Sequence, residues 1–255
     1  MPTFLFHDII IGPIRSRRMG LSLGVNLLPT DHKFCNFNCI YCECGLNEQV
    51  PKNYVPHLPS HKEVIEHLAV SLQTVEQKPD AITFAGNGEP TIHPEFAEII
   101  HDVIVLRNTH SPQSEVVVLT NATQLHKPHI LSALQEVDRC MFKLDSAIPE
   151  TIAAINQPAQ RDYLENFVHN IQAFKGKKII QTMFLRGTVC GKTIDNTTDT
   201  EIDALIALYK KLRADEVFVY SIQRDTPLPL KTVSHEELSS IAQKIQAAGI
   251  VVRIS

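Results

Sequence analysis

The strongest constraint on this chain is a repeated alternation of short apolar runs with amphipathic ones. DAITFAG (80–86), EVVVLTN (115–121), RCMFKLDS (139–146), KKIIQTMFLRG (177–187), EVFVYSIQR (216–224) and IVVRIS (250–255) read as strands. GVNLLP (24–29) adds a short strand, and FLFHDIII near the start reads as an opening one. Helical spacing fills the intervals. In 61–75, Val64, Ile65, Leu68 and Leu72 share a face, and Ser60 is placed to cap it. Helices are also predicted over 94–107, with Pro94 in the first turn, and over 127–137 and 161–174. Two more span 199–213, opened by Asp199 or Thr200, and 234–249, with a Ser234–Glu237 capping box and Gly249 at its end.

Strands alternating with helices imply parallel βαβ units with right-handed crossovers. The strand runs are apolar throughout, as expected of a parallel sheet covered on both faces. Six or seven such units predict an α/β fold of open or closed barrel type, with chemistry at the C-terminal strand ends. No linker or repeat interrupts the pattern. The chain therefore reads as one domain over 1–255, a β/α barrel from 24 to 255 preceded by an extension over 1–23.

With 44% hydrophobic and 20% charged residues, disorder is excluded as a class. A net charge of −4 offers no global basic field for nucleic acid. No apolar stretch reaches the roughly 18 residues of a membrane span. The N-terminus places its apolar run before its arginines, the wrong order for a secretory signal. These features predict a cytoplasmic protein, where the six cysteines stay reduced and metal or catalytic roles outrank disulfides.

Three of those cysteines stand close together. FCNFNCIYCECG sets Cys35, Cys39 and Cys42 as C-x3-C-x2-C, a spacing that lets backbone curl around one soft-metal centre. Three thiolates leave one iron of a four-iron cubane open to a non-protein ligand. The competing reading is a zinc site completed by His32 or Cys44, although zinc favours paired C-x2-C units. Cys44 is read as a bystander. Cys140 and Cys190 are isolated, so a second complete cluster has too few thiols.

CNFNCIYC, with Tyr41 before its last cysteine, resembles the signature of the radical S-adenosylmethionine superfamily. FAGNGEPTIHPEF (84–96) is similar to that superfamily's GGEP motif at the end of its second strand. The strand–helix order matches the partial (β/α)6-type barrel of these enzymes, with a parallel sheet and helices outside. Within the superfamily, GPIRSRRMGLSLGVNLLP (12–29), the NGEPT stretch and VYSIQRDTPLP (219–229) resemble the tRNA wybutosine synthase-related iron–sulfur oxidoreductases.

The resemblance implies a [4Fe–4S] cluster on Cys35, Cys39 and Cys42, with S-adenosylmethionine chelating the fourth iron. It implies that one electron, from an external donor such as flavodoxin or ferredoxin, cleaves the sulfonium. Methionine and a 5′-deoxyadenosyl radical would result, and the radical would abstract hydrogen from a substrate. Gly88, Glu89 and Pro90 match the GEP of the motif, whose backbone carbonyls hold the methionine amino group. Asn87, after Gly86, replaces the first glycine. Tyr41 is expected beside the cofactor.

The strand ends supply further candidates. Asn121 in LTNAT could bind the cofactor's carboxylate or ribose, or simply cap a turn. Lys143 and Asp145 point to the same side of their strand because side chains alternate. They are expected to contact cofactor or substrate, or else to form a buried pair. Met183 could pack near adenine or in the core, and Arg186 could bind an anion. Tyr220 and Ser221 sit where superfamily members contact adenine, and Arg224 could bind substrate or pair with Asp225. Arg15, Arg17 and Arg18 form a cationic cluster able to grip phosphate, carboxylate or a nucleic-acid backbone, or to stand solvated in a loop.

Three functions remain open at this level. The leading one is a radical enzyme acting on a small molecule or a modified nucleoside. A second is an activating enzyme that installs a glycyl radical in a partner protein, although the flanking motifs look less like activases. A third is a non-catalytic iron–sulfur or zinc-binding module, which would not need the GEP turn. A tRNA substrate is suggested by the resemblance and opposed by the acidic balance.

Overall fold

A hairpin opens the chain and sets the edge of the sheet. β1 (Ile10–Ser16) pairs antiparallel with β2 (Gly20–Val25). The computed structural model describes residues 4–47 and 55–255. In chain order the later strands are β3 (Ala81–Phe84), β4 (Glu115–Thr120), β5 (Arg139–Lys143), β6 (Lys178–Val189), β7 (Lys192–Asp195), β8 (Glu216–Ser221), β9 (Leu230–Thr232) and β10 (Val252–Ile254). Among the described residues the sheet order is β1-β2-β3-β4-β5-β6-β8-β10, parallel from β2 onward. β1 and β10 are its two ends, so the barrel is partial and not closed.

The opening strand begins at Ile10, later than FLFHDIII implies, and the strand placed at 24–29 is β2, starting four residues earlier at Gly20. The polar residues of GPIRSRR are carried on an exposed edge strand, where one face need not be apolar. β7 and β9 also went unpredicted. They pair antiparallel with the extended C-terminal half of β6, outside the repeating unit.

The helices are α1 (His61–Thr74), α2 (Phe96–His110), α3 (Pro128–Glu136), α4 (Pro149–Ile155), α5 (Tyr163–Ala173), α6 (Asp199–Leu212) and α7 (His235–Ala247). Capping boxes form at Ser60–Glu63 and at Ser234–Glu237. α6 is capped by the Thr198 hydroxyl rather than by Asp199 or Thr200, and α2 starts at Phe96, two residues after Pro94. α4 was missed because seven residues are too few for a clear helical period, although Pro149 in its first turn is a start signal.

Helices and sheet enclose the main core, to which α1 contributes Val64, Leu68 and Leu72, all fully buried. Burying one such side chain contributes about 1.5–3 kcal/mol. A second, smaller core lies on the inner face of the sheet. It joins Ala81, Val117, Met141, Ile179 and Phe218, one residue from each of five neighbouring strands. Met19, from the β1–β2 turn, packs into this layer and closes the floor of the half-barrel.

Candidate active site

The chain leaves β2 into the cysteine segment, and one asparagine organises the junction. Asn26 Oδ1 accepts from the Asn87 amide at 3.1 Å and from the Leu28 amide at 3.2 Å. A Cβ on Gly86 would stand 2.2 Å from that oxygen, so this approach requires glycine. Asn87 is fully buried; its Nδ2 donates to the carbonyls of Phe6 and Pro29, both at 2.8 Å. The position that departs from the family's glycine therefore ties the N-terminal segment and the cysteine loop to the end of β3.

The loop and the GEP turn are also stitched by backbone. Phe34 donates to the Asn87 carbonyl at 2.8 Å, and the Phe34 carbonyl accepts from the Glu89 amide at 3.3 Å. Gly88 lies between these bonds at φ +150°, with Pro90 opening the short helical turn that follows. The Glu89 carboxylate is buried and accepts from the Thr120 hydroxyl and the Asn121 amide, each at 2.7 Å, and from Thr91. Burial raises its pKa, with those hydrogen bonds opposing the rise. Its side chain thus fixes the turn to the end of β4. Asn121 donates through Nδ2 to Asn36, the residue after Cys35, at 2.7 Å.

At the end of β5, Lys143 and Asp145 form an ion pair of 2.8 Å. Lys143 Nζ also donates to the Tyr220 hydroxyl at 2.6 Å and lies within 5 Å of both the Tyr41 and Tyr220 rings. Burial disfavours its charge, but Asp145 and Tyr220 outweigh that and raise its pKa. Asp145 is completely buried and also accepts from Tyr41 at 2.5 Å, Asn156 at 2.6 Å and the Met183 amide at 2.8 Å. Its four contacts saturate it. The pair is at once the buried salt bridge and, through Lys143, a wall of the pocket.

The three cysteines are free and half-buried on one eight-residue loop. Burial pushes the Cys39 thiol up to about 11, opposed by the Asn156 amide 3.5 Å from its sulfur, and pushes Cys35 higher still. A hydrogen bond from Cys44 lowers Cys42 to about 6 despite burial, helped by the Lys33 ammonium. Thiolate is the form that binds iron. Among the described residues no three His, Cys, Asp or Glu side chains converge on one point. Three soft donors spaced along one loop fit a cluster, in which each ligand holds a different iron.

Cys35, Cys39, Tyr41, Gly88, Glu89, Asn121, Lys143 and Tyr220 meet around one pocket of about 190 Å³. Cys42 stands beside it in the same loop, and Asp145 behind Lys143. Gln181 and Arg18 complete the wall. Sequence reasoning missed Gln181, although a polar residue between Ile179 and Met183 in an apolar strand must face the sheet's inner side. It also missed Asn156, which only the short α4 brings beside Cys39.

Other candidates are engaged elsewhere. Arg186 is held by Asp195 at 3.2 Å, Glu237 at 2.8 Å and Thr197, away from the pocket. It is anchored there because β6 runs on past the pocket to meet β7 and β9. Ser221 is buried and bridges the Phe184 carbonyl and the Val233 amide, both at 2.8 Å. Arg224 pairs not with Asp225 but with Glu43, at 2.6 Å. Met183 does not line the pocket but packs directly beside it, in a satellite core that holds Tyr41 and Cys39 together with Ile40 and Leu185. Of the arginine cluster, Arg15 and Arg17 are exposed and Arg18 turns inward.

Fold and site define an iron–sulfur enzyme built on a partial β/α barrel. The radical SAM superfamily matches the chain over residues 31–208, and the protein belongs to that superfamily. Its members are enzymes that use a [4Fe–4S] cluster and S-adenosylmethionine. A UPF0026 protein of Synechocystis sp. is 29% identical over 96% of this chain and 95% of its own. A GTPase Obg of Brachyspira hyodysenteriae is 29% identical over 93% of this chain, which spans only 33% of that protein's length. Among solved structures, TYW1 with a lysine–pyruvate adduct bound aligns with a TM-score of 0.65 at 16% identity, covering 89% of this chain and 73% of TYW1. A radical SAM methyltransferase from Sphaerobacter thermophilus aligns at 0.67 and 14% identity, over 92% and 65% of the two chains. At such identities the likeness is one of fold. Among the described residues no helix is long and apolar enough to cross a membrane.

Proposed function

We infer that this protein generates a substrate radical by hydrogen abstraction, acting on a small molecule or a modified nucleoside. When bound, the cofactors supply one-electron cleavage of the S-adenosylmethionine sulfonium to methionine and a 5′-deoxyadenosyl radical that takes the hydrogen. The observation that carries this reading is the backbone hydrogen bonding of Phe34 to Asn87 and Glu89, on either side of Gly88, which sets the cysteine loop and the GEP turn against each other at one pocket.

In this reading Cys35, Cys39 and Cys42 hold the cluster. The Asn156 amide orients Cys39 and donates to its sulfur, as outer-shell groups do around metal ligands. Backbone at Gly88–Pro90 receives the cofactor's amino group. Lys143, kept cationic by Asp145 and Tyr220, faces the cofactor or substrate carboxylate. Tyr41 holds Asp145 in place, and Asn121 fixes Asn36 within the cysteine loop. The electron comes from an external donor, flavodoxin or ferredoxin in kind, and the protein works in the cytoplasm.

The test is anaerobic reconstitution with iron and sulfide, reduction, addition of S-adenosylmethionine, and assay of 5′-deoxyadenosine by mass. Wild type is expected to form it and Cys39→Ala to form none. A fully loaded wild-type protein that yields none, and whose cluster spectrum ignores S-adenosylmethionine, would overturn the reading.

A further inference from the structure

Arg18 is the one residue of the Arg15–Arg17–Arg18 cluster that the fold takes inside. The β1–β2 turn carries it beside Met19, which plugs the inner face of the sheet, so it enters the half-barrel from the N-terminal end of the strands. The cysteine loop and the GEP turn enter from the opposite end. Its guanidinium lies 4.8 Å from the Tyr220 ring centroid, and the Lys143 ammonium lies 4.7 Å from the same centroid. One aromatic ring therefore has two cations beside it.

The two cations differ in their counter-charge. Lys143 has Asp145, whereas among the described residues no carboxylate comes within ion-pair distance of Arg18. Its hydrogen-bonding partner is the neutral Gln181 side chain, taken by one of its five N–H donors. Lys143 keeps one N–H beyond those given to Asp145 and Tyr220. Holding a half-buried guanidinium without an anion is unfavourable unless a ligand brings one, and its planar fork suits carboxylate or phosphate oxygens.

We propose that the floor of this pocket is a substrate-anion subsite, in which Arg18 and Lys143 bind a carboxylate or phosphate group carried by a small-molecule substrate. The assignment deepens the radical-enzyme reading and rests on it. It places the anion at the Arg18 end of the pocket, separate from the cofactor at the cysteine end, with Gln181 holding the Arg18 fork and the Tyr220 ring lining the pocket beside both cations.

The test uses reconstituted protein and two probes, inorganic phosphate and acetate, against chloride at equal ionic strength. One probe is expected to raise the melting temperature by about 2–4 °C, the shift that follows from occupancy well above its Kd. The rise should vanish in Arg18→Gln and persist in the Arg15→Gln/Arg17→Gln double variant. In parallel, phenylglyoxal modification of the wild type is mapped by mass. The effective anion should slow modification at Arg18 severalfold and leave Arg15 and Arg17 unchanged, which needs no variant to fold. No rise with either probe and no protection of Arg18, or equal protection of all three arginines, overturns the proposal. So does loss of the anion response when S-adenosylmethionine alone is added, since Arg18 would then serve the cofactor. None of these outcomes depends on 5′-deoxyadenosine formation, so the subsite can fail while the radical chemistry stands.

Discussion

The carbonyl oxygen of Phe34 lies 1.9 Å from the place a Cβ would occupy on Gly88. Backbone opposes backbone there, so no side-chain rotation can relieve the overlap. Gly88→Ala is expected to cost about 1–3 kcal/mol and to push the cysteine loop off the GEP turn. Melting temperature and iron retained per chain after reconstitution both report it. Wild-type values for both would show that the turn does not anchor the loop.

Among the described residues Asp145 is the only acid in contact with Lys143, and it is completely buried. Removing one partner of such a pair leaves the other charge uncompensated, so Asp145→Ala should destabilise by about 3–5 kcal/mol in urea unfolding. Adding Lys143→Met removes the stranded ammonium. The double variant should recover part of the loss, and strict additivity of the two single changes would deny the coupling.

Arg186 spans Asp195 and Glu237 with about a third of its side chain exposed. Arg186→Ala is expected to lower stability by no more than about 1 kcal/mol and to leave S-adenosylmethionine affinity within about twofold of wild type. Equilibrium binding to the reconstituted protein decides it. A large loss of affinity would bring Arg186 back into the site.

Alkaline pH tests the buried phenols. Burial raises the Tyr209 pKa, and its hydroxyl shares a hydrogen bond with Thr182. The folded protein holds this proton to higher pH than the unfolded chain, whose tyrosines titrate near about 10. Its contribution is therefore whole below about pH 10 and is lost as the pH climbs toward the folded value. Tyr41 and Tyr163 shift in the same direction. Urea unfolding should show stability falling as the pH rises above about 10, with a shallower fall in Tyr209→Phe.

Much of this architecture was legible in the chain because a parallel sheet demands uninterrupted apolar strands, and residues such as Val116–Val118 satisfy only that demand. The cysteine spacing and the GEP turn were legible because both are local. Edge elements were not: β1 is polar, while β7 and β9 exist only through pairing with the end of β6. The site was half legible for the same reason. Strand alternation puts Lys143 on an inner face, but nothing local shows that Arg18 turns inward while Arg15 and Arg17 stay out. Arg186 stands outside the pocket because its strand continues beyond it, which its apolar run does not reveal.

The tyrosines around Lys143 have an optical consequence. The chain contains no tryptophan and five tyrosines, so its ultraviolet emission is tyrosine emission alone. Two of those five, Tyr41 and Tyr220, form walls of the pocket. A ligand that settles against either ring, or draws Lys143 away from them, changes the surroundings of a large share of the emitters. The protein thus carries its own unlabelled reporter of occupancy, with intensity as the signal and Tyr220→Phe as the control.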